Sequence, residues 1–240
     1  MKPAKAALLF ASSTLLVGCT MKSITPEEAA SICQEIVSKL YNEELTLPTK
    51  VIVENYELYK NPNGTKNDHK AKFSLDLDNE TFHIEEQYTK TIGDTTFLST
   101  IEEWSWKDGD KYYYATTDVE GSRWGYINGL GCSNYTMEQE VYFSFSITSS
   151  LANLSSEQLK EDYLEDVKWS LKSSGEGSLI FEISGIDEGD EFKGRINIKN
   201  NFLEEYYIEN SSFTSHYKQA WGKSSFRKPN LKNFEFVENL

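Results

Sequence analysis

The sequence predicts an α+β domain in which a mostly antiparallel sheet packs on an N-terminal helix and a helical insertion. Three observations carry that expectation. Apolar residues recur at three- and four-residue steps behind Thr25-Pro26. They alternate over most of the stretches from Val51 to Asn128 and from Val167 to Val237. Turn pairs such as Asp78-Asn79, Asp108-Gly109 and Asn200-Asn201 divide the alternating runs, so strands are expected to join by hairpins.

Composition permits such a domain. Of 240 residues, 38% are hydrophobic and 13% aromatic, enough apolar surface for a sizeable core and unlike a disordered chain. The formal charge of −14 repels phosphates and anionic headgroups, which excludes nucleic acid as a partner of the folded body.

The amino terminus comes first. Lys2 and Lys5 precede an uncharged, mostly apolar run from Ala6 to Val17. A bilayer crossing needs about 20 apolar residues, so this run is too short for a span and fits a secretory signal. Its ending, Leu16-Val17-Gly18-Cys19, resembles the lipobox of bacterial lipoproteins. That resemblance implies diacylglycerol on the Cys19 thiol and cleavage between Gly18 and Cys19. It also implies acylation of the new amino terminus and anchoring at the extracytoplasmic face of the bacterial cell membrane. Two acyl chains hold where one binds only reversibly. Removing residues 1–18 takes away two lysines and no acid, leaving 222 residues with a formal charge of −16. Residues 19–25 are expected to be a lipidated tether, in which the six residues after Cys19 span at most about 20 Å. Residues 26–240 form the expected single domain.

Thr25-Pro26-Glu27-Glu28 reads as a helix start with a capping box. Ala29, Ile32, Cys33, Ile36, Val37 and Leu40 continue it as an amphipathic helix to about Tyr41. A meander of about six strands follows from Val51 to Asn128, and Gly129-Leu130-Gly131 breaks it. Residues 135–151 read two ways. Val141, Phe143, Phe145 and Ile147 alternate as in a strand, whereas Met137, Val141, Phe145 and Thr148 share a helix face. The length of the segment and its lack of an internal turn favour a helix. Ser155 to Leu164 reads as a further short helix. The rest returns to strands, with 233–237 closing an edge.

This order of elements, over residues 26–237, resembles the LolA/LppX-type lipoprotein group. The resemblance implies a curved, half-barrel-like sheet wrapped around helices, with a lipid-like or other apolar ligand in its concavity.

No catalytic signature emerges. His69 is expected in a polar loop, His83 is out of step with Phe82 and Ile84, and neither they nor His216 have a His or Cys at ligand spacing, so no metal is expected. There is no GxSxG elbow and no phosphate loop, so no enzyme activity and no cofactor are expected. Asp187 to Glu191 lacks calcium-loop spacing and reads as an acidic hairpin turn. Glu102 and Glu103 are adjacent, so on a strand they face opposite ways. Cys33 and Cys132 form no framework, and either a pair or a buried free thiol at Cys33 fits the sequence. The aromatics Trp104, Trp106, Tyr112, Tyr114, Trp124 and Tyr126 come from three consecutive strands, and same-face members are neighbours on a meander. They either line a groove or form ordinary cross-strand core pairs. The expected function is a membrane-anchored, non-enzymatic binding module for a lipid-like or apolar ligand. The alternative is a cell-envelope structural or protein-interaction lipoprotein without a ligand pocket.

Overall fold

The computed structural model describes residues 21–41, 46–131, 135–153, 155, 164–174 and 177–238. The signal segment and Cys19 lie outside these residues, as does nearly all of the short helix expected from Ser155. Among the described residues, no helix is long and apolar enough to cross a membrane.

The chain opens with β1 (Lys22–Ile24) and α1 (Pro26–Tyr41). The capping box forms as expected: the Glu28 amide donates to Thr25 Oγ1 and the Thr25 amide to Glu28 Oε2. Ala29, Cys33 and Ile36 are buried on one stripe. Six strands follow as hairpins: β2 (Lys50–Lys60), β3 (Lys66–Asp76), β4 (Thr81–Ile92), β5 (Thr95–Asp108), β6 (Lys111–Asp118) and β7 (Gly121–Ile127). Then comes α2 (Met137–Ala152), so residues 135–151 take the helical reading. Five more strands are β8 (Leu164–Ser174), β9 (Ser178–Asp187), β10 (Asp190–Lys199), β11 (Phe202–Glu209) and β12 (Phe213–Trp221). The chain ends through β13 (Glu235–Val237).

The thirteen strands among the described residues belong to one curved, unclosed sheet, in the order β1-β8-β9-β10-β11-β12-β2-β3-β4-β5-β6-β7-β13. Every pairing is antiparallel except β13 on β7. The two hairpin runs meet where β12 pairs with β2, from Phe213 opposite Tyr59 to Trp221 opposite Val51. Asn200 and Asn201, both at positive φ, make the tight β10–β11 turn, a conformation Asn tolerates.

Both helices lie on one face of the sheet. There Ala29, Cys33, Ile36, Leu151 and Ala152 pack against Trp169, Phe181, Ile196, Ile198 and Leu203. Met137 seals a second cluster of Val51, Val53, Phe73, Leu75, Phe82 and Ile84. Each fully buried Phe or Leu here contributes roughly 1.5–3 kcal/mol of burial. The buried stripe of α2 is more polar than expected: Met137, Glu140, Ser144, Thr148 and Leu151 point inward, while Val141 and Phe145 are half-buried. Small polar side chains let the helix approach β11 closely, and Ser144 Oγ accepts the Leu203 amide at 2.7 Å.

Two expectations need correcting. Residues 22–24, assigned to the tether, form β1, with Lys22, Ser23 and Ile24 opposite Leu171, Ser170 and Trp169. Ile24 is buried and supplies the apolar contact that holds the segment down. His69 is not in a loop but within β3, stacked on Tyr88 at 4.3 Å.

Candidate functional site

Register sorts the six aromatic candidates onto two faces. Trp106 lies opposite Tyr113, Tyr113 opposite Tyr126, and Trp104 and Trp124 both opposite Ala115. Trp104, Trp106, Trp124 and Tyr126 therefore share the outer face, away from the helices. Tyr113, which the sequence reading did not single out, sits at their centre, 5.4 Å from Trp106 and 5.3 Å from Tyr126 between ring centroids. Tyr112 and Tyr114 point to the helix face. Tyr112 donates to Glu80. Burial, followed by the neighbouring Glu103 carboxylate, raises the pKa of Tyr114.

The outer aromatic panel is not an open groove. The chain beyond β12 crosses it and packs Phe226, Leu231 and Phe234 onto the cluster of Trp104, Trp106 and Ala115. Phe234 meets Trp104 edge-on at 5.9 Å, and Phe236 meets Trp124 at 4.9 Å. Lys228 Nζ lies 5.1 Å from the Trp106 ring centroid and 3.3 Å from Asp108 Oδ2. Parallel pairing of β13 with β7 fixes this arm at its end. The sequence signal was present: Phe226, Leu231, Phe234 and Phe236 are apolar residues that fit no further hairpin.

An uncovered apolar region lies elsewhere. The strands have two rows of ends. One carries the turns β3–β4, β5–β6 and β10–β11; the other carries β2–β3, β4–β5, β9–β10 and β11–β12. Lys22 pairs with Leu171 near the first row, and β1 runs from there toward the second. Near the second row, Tyr59, Tyr88, Ile92 and Phe97 remain 42–57% exposed. By alternation with Val53, Ile84 and Glu103 they lie on the helix face, beyond the part the helices cover. Glu57, Tyr59, His69, Tyr88 and Phe97 line a depression of about 430 Å³ there. His69 Nε2 is 3.6 Å from Glu86 Oε1, and Glu86 also accepts from Tyr135 at 2.6 Å. The depression thus has an apolar lip of Tyr59, Tyr88 and Phe97 beside the polar side chains of Glu57 and His69.

The remaining histidines are in strands and meet carboxylates on the outer face. His216 Nε2 is 2.7 Å from Glu205 Oε1. His83 Nε2 is 3.0 Å from Glu102 Oε1 and 3.7 Å from Glu85 Oε1. Glu102 and Glu103 face opposite ways as expected, Glu102 toward His83 and Glu103 toward Tyr114. Burial raises the Glu103 pKa. Asp187 and Asp190 flank a tight turn in which Glu188 and Gly189 take positive φ. Cys33 is a buried free thiol, its pKa pushed up to about 12 by burial. Neither a protein-family model nor a curated protein matches the chain.

Proposed function

We propose that this chain is a bacterial lipoprotein, anchored through Cys19 at the extracytoplasmic face of the membrane, and a non-enzymatic binding module for an apolar ligand. One observation carries the binding assignment: Tyr59, Tyr88 and Phe97 stay exposed on one face and line a depression of about 430 Å³, with exposed Ile92 on the same face. Contiguous exposed apolar side chains with polar groups beside them mark binding sites, and this volume falls in the usual range for small-molecule sites. The lipobox residues Leu16-Val17-Gly18-Cys19 support the anchoring. Because the sheet begins at Lys22, only Thr20 and Met21 separate it from Cys19, a reach of at most about 11 Å. The anchored chain enters beside one row of strand ends while the apolar residues belong to the other, 11 residues or roughly 36 Å along a strand such as β2.

The alternative, a cell-envelope interaction protein, draws support from the covered aromatic panel, which leaves no enclosed groove at Trp104 and Trp106. Two measurements test the assignment. Radiolabelled acyl chain should enter the wild type and not Cys19→Ser, and label retained by Cys19→Ser would refute the lipoprotein assignment. An apolar fluorescent fatty acid should bind Cys19→Ser protein and bind about tenfold more weakly after Tyr88→Ser plus Phe97→Ser, which removes apolar area facing the ligand. Absence of dye uptake by the parent protein would leave only the interaction reading.

A further inference from the structure

We propose that His83, Glu85 and Glu102 form a binding site for zinc(II) on the outer face of β4 and β5. Among the described residues, this is the one group of three side chains whose His and carboxylate donor atoms all lie within 4.8 Å of one another. The spacing suits the ion. Zinc held at about 2.0–2.2 Å by imidazole nitrogen and carboxylate oxygen sets neighbouring donors of a tetrahedron about 3.4 Å apart. The two edges from His83 Nε2, 3.0 Å to Glu102 and 3.7 Å to Glu85, bracket that value.

Charge points the same way. Glu85 and Glu102 sit directly opposite each other on adjacent strands, an arrangement that is destabilising for like charges. Beyond Glu85 on the same face lies Lys72, which is held by Glu54 at 2.9 Å. Beyond Glu102 lies Thr117, which is uncharged. The group left between the two carboxylates is His83, and a divalent ion bound with neutral imidazole brings their charge to zero.

The donors are also pre-organised. All three stand on paired strands rather than a loop. The His83 ring lies flat against buried Trp104, 5.2 Å between centroids at 13°, and Phe234 meets the Trp104 ring by an edge contact. Packing that fixes a ligand's ring orientation is what a metal site requires of its surroundings. Glu85 and Glu102 are partly exposed, so an ion can enter and water can take the fourth position of a three-ligand site. His216 and His69 differ, each meeting a single carboxylate, Glu205 and Glu86.

The test is zinc chloride titrated by calorimetry into the full chain, purified in detergent and freed of metal. Cobalt(II) substitution, followed by visible absorption, reports tetrahedral coordination. The expected result is one zinc per chain and intense cobalt bands. Removing one of three donors should weaken binding at least as much as loss of an outer-shell partner does, so His83→Ala is expected to cost roughly 100-fold and Glu102→Gln roughly 10-fold or more. His216→Ala should change nothing. The double variant Glu85→Gln plus Glu102→Gln keeps the ring stack on Trp104, and zinc should raise the unfolding midpoint of the wild type but not of this variant. Equal zinc affinity in wild type and double variant, or loss of binding in His216→Ala, would overturn the proposal.

Discussion

Tyr217 on β12 donates its hydroxyl to the carboxylate of Glu140 on α2, a residue only 5% exposed. Gln219 Nε2 donates to the same carboxylate at 2.7 Å and to the Glu140 carbonyl at 3.2 Å. A buried carboxylate without donors costs several kcal/mol, so these bonds decide whether the helix can sit here at all. Tyr217→Phe should destabilise the fold by about 1–3 kcal/mol, because it leaves the acid with one side-chain donor. Urea unfolding, with the slope unchanged, measures it.

The same residue sets a pH dependence. Burial raises the Glu140 pKa above its ordinary 4.5, and the bonds from Tyr217 and Gln219 only partly oppose that. A raised folded-state pKa means that the folded chain holds the proton more tightly than the unfolded one. Its contribution is therefore full below 4.5 and is lost as pH rises through the raised value. Relative to Glu140→Gln, wild-type stability should fall as pH is increased above 4.5, as read from unfolding midpoints. Wild-type stability that rises with pH relative to Glu140→Gln would contradict this account.

Phe234 covers Trp104 from above, and Phe236 covers Trp124. Deleting residues 223–240 should leave the helix-face core intact and shift tryptophan emission to the red as the panel meets water. Phe234→Ala alone should cost about 1 kcal/mol, since the ring is half-buried.

Thr136 caps α2 with a reciprocal bond to Gln139. Thr136→Ala should lower stability by about 1 kcal/mol, while Thr136→Ser should be near neutral. Thermal unfolding separates the two.

Cys33 is 0% exposed and its thiolate is disfavoured by burial. A thiol reagent at mild alkaline pH should leave it unmodified in the native state and label it on unfolding.

Much of the fold was legible because local signals agreed. The Thr25–Glu28 cap, the Asp108-Gly109 turn and the alternation through Phe73 and Leu75 each follow from nearby residues. What stayed hidden depends on register between distant strands. That Glu85 meets Glu102, or that Tyr113 rather than Tyr112 joins Trp106, follows only from where β4, β5 and β6 pair. Glu140 escaped notice because a helix pattern counts apolar positions, and its burial rests on Tyr217 and Gln219, 77 and 79 residues away.

The sheet's two outermost strands, β1 and β13, are three residues each and are the first and last strands among the described residues. Synthesis order therefore treats the edges unequally. β8 finds its neighbour already made, because β1 precedes it by well over a hundred residues. β7 must wait until residues 235–237 emerge, and an unpaired strand edge recruits other chains in the meantime. The nascent protein thus has one edge protected as soon as β8 forms and the other open to misassociation until residues 235–237 emerge.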